Sequence, residues 1–313
     1  METRPLGSSG LKASVVGLGC NNFGMRIQLE ETRVVIDAAL DAGINFFDTA
    51  DLYGFGVSED LIGQILGSRR KDVVLATKFG GIAKVKKTGE KWGSRAYIMD
   101  CVEASLKRLQ TDWIDVYQMH YPDKTTAIDE TLETLDELVR QGKIRAIGHS
   151  NFTGAMIDES EDKATAGKFA RFDTAQNEWS LLKREAEDDA VPACDKHQLG
   201  QLPYFPLANG LLTGKYKRGE AFAPDTRLGA LEMFQGWATD DNFSKVEALQ
   251  TFVEERGHTL LELAFSWLAA QPCVASVIAG ATKPEQVHAN AAAADWKLSA
   301  EELKEIDALV PRG

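Results

Sequence analysis

The feature that most constrains this chain is an alternation along its length: short apolar runs take turns with longer amphipathic segments. The apolar runs are Val15–Gly19, Asn45–Asp48, Val73–Lys78, Asp115–His120, Arg145–Ser150, Thr174–Asn177, Gly200–Phe205 and Val274–Ala279. The segments with helical periodicity are Glu30–Ala42, Ser58–Leu66, Ser94–Leu109, Ile128–Gln141, Glu185–Lys196, Phe243–Arg256, Thr259–Ala270, Pro284–Ala293 and Ala300–Leu309. Gly43 is a natural helix stop, and Ser58 is placed to cap the helix it opens. Strands separated by helices cannot pair as hairpins, so they build a parallel sheet with crossovers. Eight such units predict an α/β fold closed into a (β/α)8 barrel, the TIM-barrel architecture. Thr3–Lys12, centred on Gly7-Ser8-Ser9-Gly10, reads as a small hairpin outside the repeat. No low-complexity linker interrupts residues 1–313, so one domain is expected.

Charge and cysteine usage narrow the function. A formal net charge of −12 disfavours nucleic acid and anionic membranes as partners. No apolar run is long enough to cross a bilayer, and the N-terminus has no secretory pattern. Cys20, Cys101, Cys194 and Cys273 form no C-x-x-C pair, which fits reduced thiols in a cytoplasm. The five histidines are scattered and His120 has no H-x-H or H-x-x-x-H partner, so no metal site is expected.

Active sites in such barrels gather at the C-terminal ends of the strands. Asp48, Lys78 and His120 end the second, third and fourth strands, and Tyr53 lies in the loop above Asp48. Ser150 and Asn151 end the fifth, the sixth carries Gln176 and the seventh Tyr204. Taken singly, a strand-end Asp or His caps a helix, and a Tyr packs half-buried. Together they suit one chemistry, because an apolar strand has no structural reason to end in a lysine. Reducing a carbonyl requires a hydride on carbon and a proton on oxygen. A tyrosine with an ordinary pKa of about 10 is a weak acid, and a neighbouring ammonium is expected to lower it. Asp48 would hold Lys78 charged, and His120 would orient the substrate oxygen.

Two nucleotide motifs fail on inspection. Gly17-Leu18-Gly19 would need its third glycine at Asn22, and the next helix starts late. Gly210–Tyr216 is one residue short of a phosphate loop, with Tyr216 where a Ser or Thr would hold magnesium.

The segments GLGCNNFG (17–24), DAGINFFDTADLYGFGVSEDLIG (41–63), ATKFGG (76–81), MHYPD (119–123) and GKIRAIGHSNF (142–152) occur in one order. QNEWSLLKR (176–184), PYFPLANGLLTGKY (203–216) and IAGATKPEQVHAN (278–290) follow. In that order and spacing the chain resembles the aldo-keto reductases over nearly its whole length. The resemblance implies that Asp48, Tyr53, Lys78 and His120 are the catalytic tetrad of an NADPH-dependent carbonyl reductase. It implies that Ser150, Asn151 and Gln176 bind the nicotinamide carboxamide and that Tyr204 stacks on the ring. Backbone N–H groups of Phe205, Leu207, Gly210 and Leu211, with Lys215, would hold the pyrophosphate. Gly280, Thr282, Lys283, Gln286 and Asn290 would surround the adenosine at a helix N-terminus. Gly19 and Cys20 fall near the nicotinamide ribose, Cys20 reading also as an inert filler. Asn21 and Asn22 lie near the mouth, and Trp92 lines a substrate pocket or covers the rim. The basic run Lys84–Lys91 reads as a solvated loop.

Some positions depart from the common pattern of these reductases. Phe205 replaces a frequent serine, and Trp179 a frequent tyrosine. Thr282 stands where an arginine often meets the 2′-phosphate, and Lys283 lacks an arginine's planar fork. NADPH is the expected cofactor, with NADH the alternative. The substrate is expected to be a small carbonyl compound and the chain a monomer. The alternative function is a cofactor-binding regulatory subunit, since potassium-channel β-subunits share this family.

Overall fold

The structure is a computed structural model that describes residues 1–81 and 91–312. Most of the basic run Lys84–Lys91 therefore lies outside the described residues, Lys91 excepted. An antiparallel hairpin, β1 (Thr3–Pro5) and β2 (Lys12–Ser14), comes first, as its glycine-rich centre predicts. Gly7 at its turn has φ +54, and a Cβ there would lie 2.1 Å from the carbonyl oxygen of Asp173. Only glycine accepts both the left-handed backbone and that approach.

Among the described residues eight parallel strands follow, each bonded to the next in chain order. They are β3 (Val16–Gly19), β4 (Phe46–Asp48), β5 (Val74–Phe79), β6 (Ile114–Met119), β7 (Ile144–Ser150), β8 (Thr174–Gln176), β9 (Gly200–Gln201) and β10 (Val277–Gly280). β10 pairs back onto β3, with Val277 opposite Val16. Parallel bridges Gln201–Val274 and Tyr204–Ile278 join the remaining edge and close the barrel. The extended run expected over 200–205 is regular only at Gly200–Gln201. Pro203 has no N–H to continue the ladder, so pairing resumes beyond it through Tyr204.

The helices are α1 (Leu29–Asp41), α2 (Val57–Leu66), α3 (Arg95–Leu109), α4 (Ile128–Arg140), α5 (Gly154–Gly167) and α6 (Ala190–His197). After them come α7 (Arg227–Ala230), α8 (Asp240–Glu254), α9 (Leu260–Ala269), α10 (Pro284–Ala292) and α11 (Ala300–Leu309). The sequence reading assigns no element to the stretch that forms α5. The single helix predicted over 185–196 is a 3-10 turn, Glu185–Asp188, followed by α6. Asp189 breaks it, and its carboxylate accepts a hydrogen bond from the Gly154 N–H at 2.8 Å. Ser58 is not a cap. Gly56 caps α2 in a left-handed conformation, while the buried Ser58 hydroxyl donates to the Cys20 carbonyl at 2.9 Å.

Strand side chains alternate between the barrel interior and the helical layer. Phe46, Ala76, Val116, Ala146, Leu202, Ala275 and Ile278 fill the interior, and Leu6, Leu11 and Ala13 of the hairpin plug its lower end. Val35, Ile62, Leu75, Val102, Tyr117, Leu132 and Ile147 belong to the larger core between strands and helices. The period of two then decides what lies above the apolar interior. Two residues on from Phe46, Ala76, Val116 and Thr174 stand Asp48, Lys78, Gln118 and Gln176. The barrel is thus apolar low down and polar at its C-terminal mouth.

Candidate active site

The polar layer is built around one carboxylate. Lys78 Nζ donates to Asp48 Oδ2 at 2.6 Å and to the Thr49 carbonyl at 2.9 Å. Gln176 Nε2 and Gln118 Nε2 both donate to Asp48 Oδ1, at 2.9 and 3.2 Å. All four side chains are buried, so hydrogen bonds from the protein rather than from water surround this ion pair. Gly148 makes room for Gln118, whose Cγ lies 3.0 Å from where a Cβ would stand.

Tyr53 opens a 3-10 turn, Tyr53–Gly56, directly above. Lys78 Nζ lies 5.1 Å from the centre of its ring. The sequence reading expects that ammonium to lower the phenol's pKa, and the structure corrects it. Burial, seconded by the Asp48 charge, pushes Tyr53 well above the ordinary tyrosine value. Lys78 points its protons at Asp48 and Thr49, so its charge is largely compensated before it reaches the phenol. Tyr53 therefore stays protonated at neutral pH, as a donor must.

His120 completes the group. Its ring meets Tyr53 edge-on at 6.0 Å and stacks on Tyr121 at 4.9 Å. Burial, with a smaller contribution from the Lys78 charge, pushes His120 down to about 3. The imidazole is neutral at physiological pH, and its Nδ1 is buried without a hydrogen-bond partner. A neutral imidazole beside a phenol suits holding a carbonyl oxygen rather than carrying charge.

Asp48, Tyr53 and His120 line one end of a cleft of about 840 Å³. Its walls include sixteen of the positions assigned above to cofactor or mouth, from Gly19 and Asn21 to Gln286 and Asn290. Ser150 Oγ donates to the Gln176 carbonyl at 2.8 Å. Asn151, at φ +62, donates to the His120 carbonyl and accepts from Tyr204 Oη at 2.8 Å. The asparagine thus fixes the Tyr204 ring in the wall. Phe205, Ala208, Asn209 and Gly210 all have positive φ, which turns the backbone sharply along the floor. Lys215 folds over Gly210, its Nζ 3.2 Å from where a Cβ would be. At the far end, Gln286 accepts from the Thr282 N–H at 2.8 Å and Lys283 precedes the first turn of α10. A Cβ on Gly280 would meet the amides of Asn21 and Asn22 at 2.9 to 3.0 Å.

Lys78, Cys20, Leu211 and Trp92 stand outside the cleft wall. Lys78 lies beneath it, paired with Asp48. Cys20 is fully buried, and burial raises its thiol, which makes it an inert filler. Leu211 is buried beneath the floor. Trp92 packs on Gly80 and donates its indole N–H to the Tyr121 carbonyl at 2.7 Å, so it braces the rim.

Two wall residues and one beneath the wall escape a reading based on strand ends. Arg227 lies between the rings of Phe205 and Phe234, 4.7 and 4.4 Å from their centres, and donates to Asn209 Oδ1 at 2.9 Å. Arg26 reaches across to the Asp225 carbonyl at 2.9 Å. Arg26 sits in a loop and Arg227 opens the short α7, both away from any strand end, and nothing local marks them. Gln118 is the third residue missed that shapes the site, though it acts from below. Its position two residues before His120 is the available signal, because the period of two puts it inside the barrel.

Among the described residues no group of three or more His, Cys, Asp or Glu is arranged to hold a metal. Among the described residues no helix is long and apolar enough to cross a membrane. The comparisons with known proteins agree with the geometry. The chain is 36% identical to "Aldo-keto reductase YhdN" of Bacillus subtilis over 99% of its own length and 94% of that protein's. It is 33% identical to "Probable aldo-keto reductase 1" of Glycine max, over 98% and 88% of the two chains. It is also 36% identical to "Probable voltage-gated potassium channel subunit beta" of Arabidopsis thaliana, over 94% and 92%. With the family model of the Aldo/keto reductase family matching residues 15–311, the chain belongs to that family.

Proposed function

We propose that this chain reduces an aldehyde or ketone to an alcohol, with NADPH as hydride source and Tyr53 as proton donor. The observation that carries the reading is the assembly at one end of the cleft. A buried Asp48–Lys78 pair, a protonated Tyr53 and a neutral His120 stand together there. The cleft fits a dinucleotide: a floor of positive-φ backbone, Lys215, Arg227 and Lys283 as cations, and a helix N-terminus at the far end. Gln176 and Ser150 would meet the carboxamide, Tyr204 would face the ring, and Thr282 and Lys283 would meet the adenosine end. Bound there, the reduced nicotinamide supplies the hydride.

The chain's own residues supply the rest. His120 accepts the carbonyl compound by a hydrogen bond to its oxygen and aims it at Tyr53. As negative charge develops on that oxygen, the Tyr53 hydroxyl gives up its proton, because an alkoxide is a far stronger base than even a buried phenolate. Lys78, 5.1 Å from the ring, then offers the phenolate the part of its charge that Asp48 leaves uncompensated, and Asp48 keeps Lys78 in place. The enzyme is read as one domain acting as a monomer in the cytoplasm.

The test is oxidation of NADPH and of NADH, each with a panel of aldehydes and ketones, in the wild type and in Tyr53→Phe. Turnover by the wild type is expected, with a loss of about 10²–10⁴-fold in the variant and unchanged cofactor affinity. Substantial turnover by Tyr53→Phe would refute the proton donor. Similarity to a probable channel β-subunit supports a second reading, a cofactor-binding regulatory subunit. Tight cofactor binding with no turnover across the panel would favour it.

A further inference from the structure

Tyr53 is followed by three consecutive left-handed residues: Gly54 at φ +59, Phe55 at φ +56 and Gly56 at φ +96. For the two glycines this conformation is easily adopted; for a phenylalanine it is strained. The turn is held from both sides. A Cβ on Gly54 would lie 3.3 Å from the Phe23 carbonyl, and one on Gly56 would lie 2.8 Å from Arg108, which is paired with buried Glu59. Held in this way, the Phe55 ring projects outward and is 87% exposed. Strain without compensating packing asks for a functional explanation.

The ring is not isolated. Met25 is 65% exposed and Val57 37%. Val57 packs on Gly24, where a Cβ would fall 2.4 Å from its Cγ1, and Gly54 also borders Gly24. The loop that carries Met25 and the turn that carries Phe55 therefore touch. Both are continuous with the cleft: Arg26 and Ile27 follow Met25 into its wall, and Leu52 and Tyr53 precede Phe55 there. The Phe55 N–H is also tied to the Leu52 carbonyl at 3.0 Å. An exposed apolar rim thus begins two residues from the proposed proton donor.

We propose that Met25, Phe55 and Val57 form a lip that receives an extended, uncharged apolar arm of the carbonyl substrate. The proposal rests on the reductase reading, since it takes the Tyr53 end of the cleft as the place of the carbonyl. A substrate whose carbonyl sits at Tyr53 and His120 leads its far end out past Leu52. There Phe55 and Met25 offer the apolar surface, and covering them removes that surface from water. Short carbonyl compounds end before the lip and gain nothing from it.

The experiment compares propanal with nonanal, and in parallel measures binding of 1-propanol and 1-nonanol by calorimetry with cofactor present. The variants are Phe55→Asn and Phe55→Leu. Asparagine accepts the left-handed backbone, so Phe55→Asn removes the ring while keeping the turn. The wild type is expected to favour nonanal in kcat/KM. Phe55→Asn should lose about 5–10-fold on nonanal, several times its loss on propanal, and should weaken 1-nonanol similarly. Phe55→Leu should keep most of the preference. Equal losses on both aldehydes, or a wild type indifferent to chain length, would overturn the lip while leaving the reductase intact. Phe55-dependent 1-nonanol binding without turnover of either aldehyde would keep the lip and remove the reductase reading. A change of sedimentation from dimer to monomer in Phe55→Asn, with chain-length preference untouched, would show a contact between copies and overturn the proposal.

Discussion

Asp48 sets the energetics at the scale of single residues, because three donors converge on one buried carboxylate. Lys78→Met would leave that charge unpaired, which costs about 3–5 kcal/mol. Asp48→Asn combined with Lys78→Met should recover most of the stability but not the turnover, and urea unfolding of the single and double variants checks it. Gln118 poses a subtler case. Its Nε2 serves Asp48, but its Oε1 is buried without a partner. Gln118→Met loses one hydrogen bond and removes one orphan acceptor, so stability should shift by less than about 1 kcal/mol. Asp48 would nonetheless be held more loosely, and kcat should fall several-fold; an unchanged kcat would show that Gln176 alone suffices. At the other end of the cleft, Thr282→Arg adds a planar fork beside Lys283. It should tighten NADPH more than NADH in direct binding, and equal effects on both would misplace the adenosine end.

At the scale of elements, caps and periodicity explain what was legible. Thr259 and Glu262 form a capping box that starts α9, as the sequence pattern predicts to within one residue. Thr259→Ala should cost about 1 kcal/mol in unfolding free energy, and a loss below a few tenths would show the helix start held by packing alone. α5 was not legible for a definite reason. Its buried face consists of Gly154, Ile157, Ser160 and Ala164, mostly small residues with no large apolar stripe to mark the helical period. Ser58 misled in the opposite direction. It has the type and position of a cap, but the interior had a stronger use for its hydroxyl at Thr49 and Cys20.

The whole molecule reads pH through groups that oppose one another. His120 and His149 are both buried and pushed down to about 3 by desolvation. Their folded pKa lies below the unfolded value of about 6.5, so their contribution is full above that pH and lost as pH falls toward 3, on the order of 4 kcal/mol each. His149 has neither ring nitrogen hydrogen-bonded and stacks on Phe152 at 4.4 Å. His149→Leu should flatten the acid limb of a stability–pH curve measured by urea unfolding, and an unchanged limb would assign acid lability elsewhere. Asp173 acts the other way. Burial beneath the hairpin raises it to about 6, so its contribution is present below about pH 4 and lost as pH rises through 6. Asp173→Asn should stabilise the protein at pH 8 by on the order of 2 kcal/mol and do nothing at pH 4. The same melts at the two pH values decide it.

What the sequence determined by itself is whatever local chemistry writes into local pattern. Alternation of strand and helix implied the parallel barrel, Gly7 to Gly10 the hairpin, and Asp48, Lys78 and His120 at strand ends the reactive mouth. Family segments then carried the proposed cofactor positions, and the cleft brings most of those residues into one wall. Tertiary structure alone decided the rest, because it concerns distances between segments far apart in the chain. Arg26 meets Asp225 across 199 positions, and Gln176 meets Asp48 across 128. The pKa of Tyr53 belongs to the same class. From residue types, a lysine nearby suggests a lowered phenol; in three dimensions Asp48 compensates that lysine, and desolvation, which depends on everything packed around the ring, sets the direction instead.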